Sequence, residues 1–161
     1  MEAELFDLTE PPEDFQEVRH GFEVASNHLL VPRDLYSELI SRPRICRIPT
    51  TPIWFSGFIN HRGETVPIFD LAALIGEGET DTGEKPKRWV LLLDEQPYMV
   101  GILLSEPPAA LVAPTPLDET AAKHLSEALR AHTHGYVEHK GRVWAELNHR
   151  QFFAAVKERF S

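Results

Sequence analysis

Residues 48–76 read IPTTPIWFSGFINHRGETVPIFDLAALIG. The apolar run Ile53-Trp54-Phe55 is followed by Gly57 and a second run, Phe58-Ile59. A polar break, Asn60-His61-Arg62-Gly63-Glu64, leads into a third run, Val66-Pro67-Ile68-Phe69. Two apolar segments around a polar break that contains glycine predict a β-hairpin with a short loop. After Asp70 the pattern turns helical through Leu71-Ala72-Ala73-Leu74. The Asp70 side chain suits the start of that turn, and Gly76 suits its end. The stretch holds no catalytic device. It carries one cationic side chain, Arg62, at the hairpin tip.

Working outward, residues 88–94 (RWVLLLD) and 98–104 (YMVGILL) bracket Glu95-Gln96-Pro97 and form the clearest strand pair. Their runs are almost wholly apolar, so at least one of these strands is expected to be buried on both faces. Gly101 marks a bulge or a close approach of another backbone. Upstream, Phe22 and Val24, then Leu29-Leu30-Val31, flank a turn at Ser26-Asn27. Residues 35–40 fit either a helix or a strand. Downstream, residues 109–113 form a β-prone run between prolines. The pattern Leu117, Ala121, Leu125, Ala128, Leu129 predicts a helix over about 118–131 that starts at Thr115-Pro116-Leu117-Asp118 and ends at Gly135. Residues 136–139 and 142–147 form a hairpin around Lys140-Gly141. Asn148 and Gln151 make the start of a final helix reaching about Phe160, with Phe152, Phe153, Val156 and Phe160 on its apolar face.

The chain has 161 residues, with 42% hydrophobic and 25% charged side chains, which suits one folded domain with a sizeable core. Residues 1–14 are acidic and contain Pro11-Pro12, and they read as a mobile tail preceding a single domain over 15–161. Lys and Arg number 16 against 25 Asp and Glu, a formal charge of −9. That balance opposes sequence-independent nucleic-acid binding and attachment to anionic lipid. No apolar run approaches the roughly 18 residues of a membrane span, and the N-terminus lacks the apolar core of a secretory signal. A cytoplasmic protein with no direct membrane insertion is expected. Cys46 is the one cysteine and reads as a buried structural thiol.

No enzymatic chemistry emerges. Ser56-Gly57 lacks the flanking glycines of a nucleophile elbow, and there is no glycine-rich phosphate loop. The acidic pairs Asp94-Glu95 and Asp118-Glu119 are accounted for by a turn and a helix start. Eight histidines raise a metal question. His124, His132 and His134 lack a second Cys or His pair at ligand spacing, and all eight read as surface, turn or helix-end residues. No metal or cofactor is expected. Trp54, Trp89 and Trp144 read mainly as core, with Trp54 the one to watch for an outward face.

The ordered pattern Ile48-Pro49, Trp54, Gly57, Ile59-Asn60, Arg62-Gly63, Val66-Pro67 and Phe69-Asp70-Leu71 resembles the CheW-like family, the adaptor modules of bacterial chemosensory arrays. The resemblance covers about residues 18–155. It implies a mainly β fold of two five-stranded, barrel-like subdomains packed together, with short helices and a C-terminal helix. It implies a non-catalytic scaffold that couples a methyl-accepting chemoreceptor to a CheA-like histidine kinase in membrane-associated receptor arrays. Leu29-Leu30-Val31-Pro32, Arg42-Pro43-Arg44, Trp54 and His134-Gly135-Tyr136 are similar to PilI-type adaptors of type IV pilus (twitching motility) systems. The implied partner-binding set is Glu38, Trp54, Gly57, Asn60, Arg62, Gly63 and Val66, with Glu38 in Tyr36-Ser37-Glu38-Leu39-Ile40 and Arg62 as the functionally sensitive charges. In the family the receptor groove lies between subdomains, and a side chain at Gly57 would clash or block it. The alternative is a stand-alone β-barrel binding a small ligand or oligosaccharide, which would require Trp54, Phe55 and Trp144 to line one cleft.

Overall fold

A computed structural model describes residues 16–76 and 86–159. The acidic segment 1–14, residues 77–85 and Phe160 lie outside the described residues. Among the described residues eleven strands form two sheets. In chain order they are β1 (Val18–Val24), β2 (Asn27–Leu30), β3 (Ser37–Ser41), β4 (Phe55–His61), β5 (Glu64–Phe69), β6 (Trp89–Leu93), β7 (Val100–Leu104), β8 (Ala109–Val112), β9 (Thr115–Leu117), β10 (Thr133–His139) and β11 (Arg142–Leu147). The helices are α1 (Leu71–Leu74), α2 (Glu127–Arg130) and α3 (His149–Arg159). One sheet runs β8-β1-β2-β11-β10-β9 and the other β3-β6-β7-β5-β4. In each, two antiparallel hairpins meet through one parallel contact, β2 with β11 and β5 with β7.

The five-stranded sheet is rolled. Its outer strands, β3 and β4, approach each other where Cys46, after β3, bridges Phe58 of β4. Ile59, Val66, Ile68, Val90, Leu92 and Met99 fill its interior, with Tyr36, Ile40 and Ile45 packed against them. The other sheet encloses Leu30, Leu111, Val137 and Trp144. Between the sheets lies a third, larger cluster built from both, including Phe22, Leu29, Leu91, Leu93, Ile102, Leu104 and Leu147, with Leu71 of α1 and Phe152 and Val156 of α3. Strand β6 shows the logic. Successive side chains point to opposite faces, so Val90 and Leu92 serve the barrel interior while Leu91 and Leu93 serve the shared core. Burial on both faces explains why this strand is wholly apolar instead of alternating.

The hairpin at 55–69 forms with its strands longer than the polar break implied. His61 and Glu64 pair across a two-residue turn, Arg62-Gly63, whose φ angles are +52° and +83°. Both central residues are left-handed, as the tight hairpin turn that matches strand twist requires. Residues 35–40 resolve as strand, since β3 pairs with β6 over Ser37–Ser41. Gly101 marks close packing: a Cβ there would sit 2.5 Å from Ile68 Cδ1 and 2.9 Å from Val90 Cγ1.

Four sequence expectations change. The six-stranded sheet has one strand more than expected, because Thr115-Pro116-Leu117 forms an exposed edge strand and not a helix start. Proline is tolerated there because an edge strand does not need its N–H on the open side. The single helix over 118–131 is instead a 3-10 helix, Glu119–His124, and the short α2. Leu125 turns extended between them (φ −81°, ψ 150°), packing toward the core while Ser126 N–H donates to Asn27 Oδ1 at 2.9 Å. Gly135 ends no helix; it occupies a bulge in β10 at φ +69°. Cys46 is exposed, because its backbone bridges Phe58 and its side chain faces away from the barrel interior.

Candidate functional site

The rolling of the five-stranded sheet brings Glu38 of β3 beside the β4–β5 turn. Arg62 Nη2 lies 3.5 Å from Glu38 Oε1, and His61 Nε2 lies 3.3 Å from the same oxygen at ion-pair distance but without hydrogen-bond geometry. The Tyr36 hydroxyl donates to Glu38 Oε1. That bond, aided by the charges of His61 and Arg62 and opposed by partial burial, holds the Glu38 carboxyl below its ordinary value. The same bond raises the Tyr36 hydroxyl. Arg62 is 71% exposed and Glu38 32%. The guanidinium therefore reaches its carboxylate at the limit of hydrogen-bond distance and keeps most of its donors in water.

The turn that presents Arg62 is built locally. Asn60 Oδ1 accepts from Gly63 N–H at 3.1 Å, and a Cβ on Gly63 would meet nothing within 4 Å. Asn60 and Gly63 thus shape the tip and, like Arg62, stay exposed. Two expected site residues do not reach the surface. Val66 is fully buried in the barrel interior, so it has no face to offer a partner. Gly57 is buried at a bulge with φ +129°, and a Cβ there would lie 2.3 Å from the Cys46 carbonyl oxygen. Its glycine is required by the barrel seam, so Gly57→Asp would unsettle the fold before it could report on a groove.

Trp54 is half-buried and precedes β4. Its ring lies 6.1 Å from that of Phe69 and nearly parallel to it. With Phe55, Phe69 and Phe153 it lines an apolar hollow of about 270 Å³. Trp144 belongs elsewhere, buried in the six-stranded sheet and at the edge of a hollow of about 310 Å³ bounded by β1, β7 and β8. The three aromatics therefore do not line one cleft. Among the described residues no group of three or more His, Cys, Asp or Glu is arranged to hold a metal ion.

The strongest polar cluster escaped the sequence reading. Asp94, assigned to a turn, is 3% exposed. It accepts from Arg150 Nε at 2.7 Å and Nη2 at 2.9 Å, and His149 Nε2 lies 2.6 Å from its Oδ2. Arg150 also lies over the Tyr98 ring, 4.0 Å from its centre. His149, expected at the surface, is buried, with Nδ1 unpartnered. The signal available was positional: His149 and Arg150 follow the helix cap Asn148, and Asp94 ends an apolar strand. Only the fold places the two together. Arg19 was likewise unmarked. It is buried and donates to Glu146 Oε1 at 2.6 Å.

Residues 20–157 match the profile of the CheW-like domain, and the chain belongs to that family. Among relatives, it is similar to Protein FrzA of Myxococcus xanthus, 29% identical over 117 residues, which is 68% of this chain and 72% of that protein. The crystal structure of the scaffolding protein TtCheW from Thermoanaerobacter tengcongensis shares the fold, with a TM-score of 0.62 at 18% identity, covering 83% of this chain and 89% of that one. Among the described residues no helix is long and apolar enough to cross a membrane.

Proposed function

We propose that this chain is a non-catalytic chemosensory adaptor that joins a methyl-accepting chemoreceptor to a CheA-like histidine kinase. The observation that carries this reading is the family match over residues 20–157. The exposed tip residues Asn60, Arg62 and Gly63, with Arg62 held against Glu38, support it with a surface fit for a partner carboxylate. Arg is suited to that task because its planar fork matches a carboxylate with two parallel bonds. Receptor binding is assigned to Glu38, Asn60, Arg62 and Gly63, with Trp54 at the margin. The setting is the cytoplasmic side of a receptor array. Similarity in the stretches around Leu29-Leu30-Val31-Pro32 and His134-Gly135-Tyr136 favours a type IV pilus (twitching motility) system over a flagellar one.

The test is calorimetric titration of the purified protein with a receptor-tip fragment, with a CheA-like kinase fragment, and with both in sequence. An adaptor binds each and keeps the first when the second is added. Binding to neither, with the protein folded by circular dichroism, overturns the reading.

A further inference from the structure

A second charged surface lies at the other end of β3. Arg42 follows that strand directly, and its N–H donates to the Arg88 carbonyl at 2.8 Å, so the two arginines flank the end of the β3–β6 pair. They border a hollow of about 400 Å³ with Ser41 and Trp89. A second hollow, about 410 Å³, is lined by Arg47, Ile53, Asp70 and Lys87 among others, and Lys87 is next to Arg88 in the chain. Arg44 sits between Arg42 and Arg47 in the connection from β3 to β4. All four arginines are exposed. Among the described residues none of their guanidinium groups has a hydrogen-bond or ion-pair partner, whereas Arg19 is matched to Glu146, Arg33 to Glu17, Arg150 to Asp94, and the neighbouring Lys87 to Asp70 at 3.8 Å.

Arg42 and Arg88 share one strand end and Arg44 and Arg47 follow Arg42 closely in the chain, so the four form a local reversal of sign in a chain with formal charge −9. Such a reversal steers oppositely charged partners and fixes their orientation. Arg42 also sits at φ +52°, a left-handed backbone in which an arginine is uncommon. The surface is not purely ionic. Ile53 is 86% exposed and Ile48 40% exposed, and both lie in the connection that carries Arg44 and Arg47. Aliphatic side chains between arginines match a polypeptide that carries both acids and apolar residues. They match a nucleic-acid backbone poorly, and the overall acidity repels one.

We infer that the Arg42–Arg44–Arg47–Arg88 surface, with Ile53 and Trp89, docks an acidic segment of a partner protein through arginine–carboxylate pairs. Glu38 lies near the opposite end of β3 from Arg42, so this surface and the hairpin tip can be occupied together. The inference stands apart from the adaptor reading and does not require the hairpin to bind anything.

The experiment uses the full chain and a short fluorescein-labelled peptide of glutamate, alanine and leucine, followed by fluorescence anisotropy at low and physiological salt. Two controls are the same peptide with glutamine for glutamate and labelled poly-dT of equal charge. The acidic peptide is expected to bind wild type, to weaken as salt rises, and to bind the Arg42→Glu/Arg88→Glu variant at least about tenfold more weakly. Arg44→Ala/Arg47→Ala should show a smaller loss, with unchanged circular dichroism in both variants because all four side chains are exposed. Equal affinity in wild type and the charge-reversed variant overturns the assignment. So does poly-dT binding as tightly as the peptide, or the glutamine peptide binding as tightly as the acidic one.

Discussion

Asp94 and Glu38 each face an arginine and a histidine, yet they sit in opposite surroundings. Asp94 is buried, takes two short bonds from Arg150 and one contact from His149, and ties the end of β6 to the start of α3. Glu38 is partly exposed, and Arg62 touches it at 3.5 Å from a turn that is mostly in water. Burial makes the difference. A carboxylate removed from water needs its partners to be close and fully bonded, while one at the surface gains little from a distant pair. The first cluster therefore holds the fold, and the second is left available to exchange its partner.

The largest expected effect tests the buried half of that contrast. Asp94→Ala leaves His149 and Arg150 without their acceptor. The cost should be about 2–3 kcal/mol, below the usual range for a broken buried pair because Arg150 can turn to water. For a chain of this size that is a fall of about 4–12 °C in melting temperature, read by circular dichroism. A melting temperature within about a degree of wild type would erase the contrast with Glu38.

Acid should act on the same cluster. The Arg150 hydrogen bond, with lesser help from His149, holds the Asp94 carboxyl well below its ordinary value of 3.8. A depressed folded-state pKa means that the unfolded chain binds the proton first. The stabilisation is thus complete above about pH 4–5 and is lost as pH falls through the folded-state value. The gap in melting temperature between wild type and Asp94→Asn should narrow as pH drops from about 5 to about 3. A gap that stays constant or widens would assign the effect of Asp94 to packing.

On the exposed side the prediction reverses. Arg62→Ala should change stability by less than about 1 kcal/mol. It should bind a receptor-tip fragment at least about tenfold more weakly by calorimetric titration, since truncating one half of a buried interface pair is costly. Arg62→Lys should fall between, because an ammonium cannot reproduce a two-pronged contact. Wild-type affinity in Arg62→Ala would move binding off the hairpin. The smallest effect is the coupling. Glu38→Ala should show part of the Arg62→Ala defect, and the double variant should lose less than the sum if Glu38 orients Arg62. Strict additivity would mean that their proximity across the barrel seam is incidental.

Several elements were legible because their determinants are local. The Arg62-Gly63 and Lys140-Gly141 turns, the Asp70 cap that accepts from Ala73 N–H, and the Asn148 cap that accepts from Gln151 N–H need only neighbouring residues. The apolar pair β6–β7 was legible because burial on both faces leaves an unbroken run. The helix expected over 118–131 failed for the complementary reason. Its apolar spacing suited a helix, but Leu125 and Asn27 of β2 drew the chain out of it. Pro116 was equally ambiguous, since a helix start and an edge strand both tolerate a missing N–H.

By itself, then, the sequence determined the β-rich class, the hairpins, the caps and the CheW-like pattern, since each rests on spacing and side-chain chemistry within a few residues. It also marked Glu38 and Arg62. Tertiary structure alone decided that rolling the sheet places these two side by side with Tyr36 and His61. It alone buried Val66 and Gly57, exposed Cys46, joined Asp94 to His149 and Arg150 across 55 and 56 residues, and left Arg42, Arg44, Arg47 and Arg88 without an acidic partner among the described residues. The physical reason is common to all of these. Burial and ion pairing depend on which distant segments the fold brings together, and an acid, a base or a valine carries no local mark of its eventual neighbours.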